Sequence, residues 1–236
     1  MILAAFDFET NSLDINQARV LEVGVLLYTT TRKRIVMAES FLVDNEDNIP
    51  NEIVDVTHIS QKMTSTFGLV TTHAISRLQN YFDMADMIVG KNIIDYDIPI
   101  YKNWCLREHE EPIDKPLIDI ETDLPGVENK KLAYMCADAG FLNPFPHAAL
   151  ADAWSTLRLI ELQPSFDEIV ARSQSPRVWL QAIVNFDNNY LAKEKKFFWV
   201  PAPHKAWCKI VKEVDVERFV KECQFDVKRI QPLPRG

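Results

Sequence analysis

Two acids in the first apolar run constrain this chain more than any other feature. Residues 2–12 read ILAAFDFETNS. An apolar run of this kind is read as a strand, whose period of two puts Asp7 and Glu9 on one face and Phe6 and Phe8 on the other. Two ionised carboxylates side by side repel and lose hydration when enclosed, so the pair persists only beside a cation, a proton or plentiful water. An isolated D-x-E is common by chance, and water at a fraying strand end explains it. The rest of the chain decides between these readings.

Two β-rich runs follow, RVLEVGVLLYT (19–29) and KRIVMAESFLV (33–43), joined by the short link TTRK. With the first strand they read as an antiparallel meander. A polar loop, DNEDNIPNE, precedes residues 67–84, where Phe67, Val70, Ala74, Leu78 and Phe82 fall near one helical stripe. DMIVGKN (86–92) is a short apolar strand, and IPIYKNWCLREHEE (98–111) reads as a helix beginning near its proline. KPLIDI is a further strand, and helices are expected at 129–139 and 149–162. The order βββ, α, β, α, β, α, α predicts a mixed α/β layer with an antiparallel edge and helices covering the sheet.

A composition shift begins at LQPSFDE, and SQSPRVW reads as linker. Beyond it QAIVNF, KKFFWV, HKAWCKIV and FDVKRI look like short strands, with a helix at about 215–223. The expected domains are therefore residues 1–164, a linker at 165–180, and a small α+β module at 181–236.

At 236 residues, 47% hydrophobic and 25% charged, the chain has the composition of an ordinary globular protein. No apolar stretch approaches the roughly 20 residues that cross a bilayer. MILAAFDFE has neither a basic leader nor a cleavage site, so an intracellular, cytoplasmic protein without membrane partners is expected. Cys105, Cys136, Cys208 and Cys223 form no C-x-x-C pair, which argues against a zinc site or a disulfide framework. Net charge is −8, but residues 1–164 hold 13 basic against 25 acidic residues, and residues 165–236 hold 13 against 9. An acidic body suits a collector of divalent cations, and a basic tail suits a phosphate backbone.

Further acids join the opening pair. MIVGKNIIDYDIPIY delivers Asp95 or Asp97 where a strand gives way to a helix, the junction at which open α/β sheets usually place their chemistry. PHAALADAW sets His147 ahead of a helix and Asp152 in its first turns, on a flank otherwise made of Ala149, Ala153, Leu157 and Ile160. An acid among alanines needs a partner.

FDFET, VGKNIIDYDIPIY and HAALADAW resemble the three motifs of the DnaQ-like, DEDD-type 3′–5′ exonucleases, in the DEDDh subclass whose last motif is H-x4-D. DVTHIS (55–60) resembles the segment between the first two motifs, and LIDIETDL the strand after the second. The resemblance covers about residues 1–163 and implies a ribonuclease H-like fold. It selects Asp97 over Asp95, because the family pattern of Gly, Asn, aromatic and Asp is met by Gly90, Asn92, Tyr96 and Asp97. It makes Asp7, Glu9, Asp97 and Asp152 the metal ligands and His147 the general base. Asp7 would bridge two ions, Glu9 and Asp152 would serve mainly the water-bearing one, and Asp97 would reach the second. The cofactors expected are two Mg²⁺, with Mn²⁺ able to substitute.

The chemistry asks for these residue types. Phosphodiester hydrolysis needs charge neutralised at phosphorus and a nucleophile near pH 7, and two divalent ions about 3.5–4 Å apart supply both. Mg²⁺ takes hard oxygen ligands, and histidine, titrating near pH 6.5, removes a proton from water.

The chain departs from the family in two places. Thr10-Asn11-Ser12 stands where many relatives have Thr-Gly, and Lys91-Asn92 where they often have His-Asn. Thr10 and Asn11 are expected to contact the terminal nucleotide through backbone N–H and side chain, Asn92 to bind substrate, and Leu13 to act as a wedge or else pack in the core. In AKEKKFFWVPAPHKAWCK, basic and aromatic residues interleave, with Lys195, Lys196 and Lys205 among Phe197, Phe198, Trp199 and Trp207. They are expected to hold nucleic acid, or else the aromatics form a small core of their own. The function expected is 3′–5′ removal of nucleotides from DNA, from single-stranded 3′ ends. The alternatives are the same chemistry on RNA ends, or an inactive relative that only binds nucleic acid.

Overall fold

Ile2–Thr10 form strand β1, with Leu3, Ala4, Ala5 and Phe6 wholly buried. Burial on both faces makes β1 a central strand. Ala4, Phe6 and Phe8 enter one core with Phe82, Tyr101 and Trp104, while Leu3 and Ala5 enter another with Leu157, Leu159 and Ile160. The computed structural model describes residues 1–44, 48–124 and 131–233. Two compact units make up the chain, Met1–Val170 and Ala171–Gly236.

In the first unit β1 pairs antiparallel with β2 (Val20–Thr29), which pairs antiparallel with β3 (Arg34–Leu42). On the other side β4 (Met87–Gly90) runs parallel to β1, and β5 (Leu117–Asp119) parallel to β4. The sheet order is β3-β2-β1-β4-β5, a mixed sheet flanked by helices.

Between β3 and β4 lie α1 (Asn51–Thr57), α2 (Gln61–Phe67) and α3 (Thr71–Met84). The stripe expected to start at Phe67 breaks at Gly68, where a Cβ would lie 2.3 Å from the Thr64 carbonyl oxygen. Phe67 therefore closes α2, and α3 buries Ala74, Ile75, Leu78, Tyr81 and Phe82. After β4 come α4 (Asp97–Arg107), α5 (Ile120–Asp123), α6 (Leu132–Asp138) and α7 (Ala149–Glu161). The start expected for α6, at 129–130, and part of the 44–52 loop lie outside the described residues.

The stretch expected as a linker, 165–180, instead holds α8 (Phe166–Ser173) and the start of β6 (Arg177–Ile183). Ile169 is buried in the core beneath α7, with Phe166 and Val170 packed against it. This apolar face outweighs the polar composition around it.

The second unit is a four-stranded antiparallel sheet, β7-β8-β6-β9, with β7 Phe198–Val200, β8 Ala206–Lys212 and β9 Asp226–Ile230. Helices α9 (Asn189–Glu194) and α10 (Val216–Glu222) complete it. Leu180, Ala182, Ala192, Phe197 and Phe219 form one of its cores. No helix among the described residues is long and apolar enough to cross a membrane.

Candidate active site

The face of β1 that carries Asp7 and Glu9 is the one that carries Leu3 and Ala5, and it is covered by α7. Opposite the pair on β2 stand Gly24, facing Asp7, and Glu22, facing Glu9. The register slips immediately after Glu9, a bulge that turns the strand end away. Gly24 is required by the helix. A Cβ there would fall 2.1 Å from both the Ala149 carbonyl carbon and the Leu150 nitrogen, so the first turn of α7 rests directly on β2. Beside it the Ala149 N–H donates to Glu22 Oε2 at 3.1 Å, and the Ser40 hydroxyl donates to the other oxygen.

This seating presents Asp152 to the β1 acids. The Asp152 carboxylate accepts from the His147 backbone N–H at 3.3 Å and from the Asn143 side-chain amide. His147 occupies the left-handed region, φ 63°, and its side chain is exposed. Ligating atoms of Glu9, His147 and Asp152 lie within 4.8 Å of one another. Asp97 opens α4 and is 3% exposed, with the Phe8 backbone N–H bonded to its carboxylate, between the two β1 acids. The loop ahead of it is pinned by Asp119, which accepts from the N–H groups of Asn92 at 2.8 Å and Ile94 at 3.3 Å. Five groups from a strand, a βα junction and a late helix thus meet at one place.

Their electrostatics are those of a cluster built for positive charge. Asp7 is held well above the usual carboxylate range, first by burial and then by Asp97, Asp152, Glu9 and Glu22. Burial, with Asp152, Glu22 and Asp97, pushes Glu9 up to about 8. Asp97 rises to about 7, mainly by burial, against the lowering effect of its backbone donors. Asp152 is also raised by burial, although His147 and Asn143 pull it down. Without a cation the cluster holds protons, and a divalent ion would displace them.

The remaining expected residues are more scattered. Leu13 does not pack in the core but is 82% exposed just past β1. The Thr10 hydroxyl is tied to the Ser12 carbonyl oxygen at 3.0 Å and Tyr96 Oη at 2.8 Å. Asn11 is fastened to Arg19, donating its N–H to the Arg19 carbonyl and accepting the Arg19 N–H at Oδ1. The groups expected to meet a nucleotide are therefore engaged in closing the bulge. Lys91 pairs with Glu121 at 2.9 Å.

In the second unit the three lysines have different surroundings. Lys195 lies 3.9 Å from Glu222, Lys196 sits in a left-handed turn after α9, and Lys205 lines a cleft with Trp199 and Trp207. Phe197 and Phe198 belong to the unit's own cores.

The sequence reading passed over Glu22 and Asn143. The signal for Glu22 was its place opposite Glu9 once β1 and β2 are paired in register, and Asn143 lies nine residues before the acid it holds. A cleft of about 520 Å³ opens beside Glu22 and His147, lined also by His58, Phe41, Met63 and Phe67.

A mixed five-stranded sheet of this order flanked by helices is a ribonuclease H-like fold. The exonuclease family RNase_T matches residues 4–160, and the chain belongs to that family, among the DnaQ-like 3′–5′ exonucleases. Similar solved structures include E. coli exonuclease I in a zinc-bound complex with single-stranded DNA, 13% identical with a TM-score of 0.68 over 92% of this chain and 67% of that one. Another is E. coli exonuclease I with a dA16 oligonucleotide, at 12% identity and a TM-score of 0.65 over 95% and 68%. The nuclease domain of 3′hExo, a DEDDh family member bound to rAMP, matches at 17% identity and 0.57 over 67% and 88%. At such identities the likeness is one of fold. No curated protein matches the sequence significantly.

Proposed function

We propose that this chain removes nucleotides one at a time from the 3′ ends of single-stranded DNA, by hydrolysis at the acid cluster. The observation that carries the reading is the convergence of Asp7, Glu9, Asp97, Asp152 and His147 on one part of the sheet, with the Asp7 and Glu9 carboxyls raised first by burial and then by their acidic neighbours. The donor set fits divalent cations, since the acids offer only hard oxygen. Asp7, Glu9, Asp97 and Asp152 would hold two Mg²⁺ or Mn²⁺ ions, which supply Lewis-acid stabilisation and lower the pKa of water.

The protein's own groups do the rest. His147, exposed at the mouth and beside Glu9 and Asp152, takes the proton from the attacking water. Asn143 and the His147 N–H fix the Asp152 carboxylate, so this ligand needs no reorganisation when a cation arrives. Leu13, apolar, exposed and four residues beyond Glu9 in the chain, serves as the wedge against the terminal base. Asn92 acts mainly through its backbone, holding the loop that delivers Asp97.

DNA is preferred because exonuclease I, whose structures contain single-stranded DNA, is similar in fold over 92–95% of this chain. The rAMP-bound domain is similar over 67% and supports RNA ends as the second reading.

The test is incubation of 5′-labelled single-stranded DNA, duplex DNA and RNA with Mg²⁺ or Mn²⁺, beside Asp7→Ala. Stepwise shortening of the single-stranded DNA, absent in the variant, is expected. No shortening, or equal shortening by Asp7→Ala, would refute the assignment.

A further inference from the structure

The second unit carries a cleft lined partly by residues that also pack on its core, Ala182, Val184 and Trp207, and partly by exposed aromatic surface. It has a volume of about 700 Å³, within the roughly 300–1,000 Å³ of small-molecule sites, and lies along β6 and the β7–β8 pair. Trp199 and Trp207 face each other across β7 and β8, with ring centroids 5.3 Å apart and planes inclined at 59°. Their strand neighbours Phe198, Val200, Ala206 and Cys208 point to the opposite face and form a core. Trp199 remains 48% exposed, and Phe186, on the rim, is 88% exposed. Large aromatic surface is thus presented to solvent while Phe197 and Phe198 serve the interior.

The rim adds hydrogen-bonding and charge. Gln181 and Asn189 offer amides that both donate and accept, the Asn185 amide oxygen already accepts from the Asn188 N–H at 2.9 Å, and Lys205 lines the same cleft. Lys193 Nζ lies 5.5 Å from the Trp207 ring centroid. Residues 171–236 hold 13 basic against 7 acidic residues, a net +6, in a chain whose total is −8. An apolar peptide would use the aromatic faces and leave the lysines and amides without purpose. A strand of nucleotides uses all three, stacking bases on the rings, pairing base edges with amides and placing phosphates near the lysines.

We propose that this cleft is a stacking site for unpaired bases of a single-stranded nucleic acid, with Trp199, Trp207 and Phe186 as platforms and Lys205 as a phosphate contact. The identity of the ligand rests on the nuclease reading above, while the residues of the cleft belong to the second unit and those of the acid cluster to the first.

The experiment uses the full chain in EDTA, where turnover stops, and follows the anisotropy of a labelled dT16 oligonucleotide. Trp199→Ala and Phe186→Ala should each weaken binding by about 5- to 150-fold. Trp199→Phe should restore most of the loss. Phe186 is so exposed that its truncation leaves the fold intact, which keeps the test independent of folding. An oligomer with abasic sites should bind the wild type no better than dT16 binds Trp199→Ala. Lys205→Ala should shallow the salt dependence by about 0.7 in log–log slope.

Unchanged affinity in both Trp199→Ala and Phe186→Ala overturns the site, as does a proline-rich peptide that binds there in place of the oligonucleotide. Trp199-dependent binding without any hydrolysis in Mg²⁺ would sink the nuclease reading and leave the cleft standing. Hydrolysis with binding indifferent to both substitutions would do the reverse.

Discussion

Glu9→Gln should make the metal-free protein more stable while destroying its capacity for divalent ions. Glu9 is 9% exposed and its carboxyl is pushed from 4.5 up to about 8, chiefly by burial and then by Asp152, Glu22 and Asp97. A group whose folded pKa is raised keeps its proton in the native state while the unfolded chain loses it. Stability therefore falls as pH rises between those two values. One pKa unit corresponds to about 1.36 kcal/mol. From these values wild type forfeits under about 1 kcal/mol at pH 5, about 3 kcal/mol at pH 7 and about 4 kcal/mol at pH 8. Glutamine, similar in shape and uncharged, escapes the penalty. With roughly 2–4 °C per kcal/mol for a unit of this size, Glu9→Gln should melt about 6–12 °C above wild type at pH 7 in EDTA. The two should nearly coincide at pH 5. Calorimetry at pH 5, 7 and 8 measures the gap, and a repeat in saturating Mg²⁺ should raise wild type alone. A gap that does not widen with pH, or a variant that melts below wild type at pH 8, would refute the reasoning.

Three further outcomes follow from the seating of α7. Glu22→Ala removes the acceptor of the Ala149 N–H and should lower kcat about 10- to 100-fold. Glu22→Gln keeps an acceptor oxygen and should retain most of the rate, so equal loss in both variants would show that charge, not position, matters. Gly24→Ala places a methyl 2.1 Å from α7 backbone. It should cost about 1–3 kcal/mol or more and weaken Mn²⁺ affinity, measured by melting and by titration calorimetry. His147→Ala should lower turnover about 10²- to 10⁴-fold with oligonucleotide binding in EDTA unchanged.

The meander was legible from local pattern, and the candidate acids were picked out by local pattern together with the family resemblance, which alone selected Asp97 over Asp95. Strand alternation placed Asp7 and Glu9 together, and the alanine flank of 149–160 marked the face of α7 that meets the sheet. The helices at 51–67 escaped because α1 buries nothing and α2 only Thr64, so neither writes an apolar stripe. Glu22 escaped because its partner is set by strand register, which single-strand alternation does not reveal. In the second unit, the interleaving of lysine and aromatic residues showed that both kinds were present but not which way each points. Only the fold separates Phe197, inside, from Trp199, on the cleft.

The division of the acid cluster among three elements has a consequence for when the protein can act. Asp7 and Glu9 belong to the central strand, whereas Asp97 and Asp152 arrive on helices that must first dock, one against the Phe8 N–H and one upon Gly24. A chain emerging from the ribosome would hold only Asp7 and Glu9 of the cluster, and one with α7 undocked would lack Asp152. Nuclease competence is then an attribute of the finished fold alone, and an unfolded copy would be harmless to the nucleic acids around it.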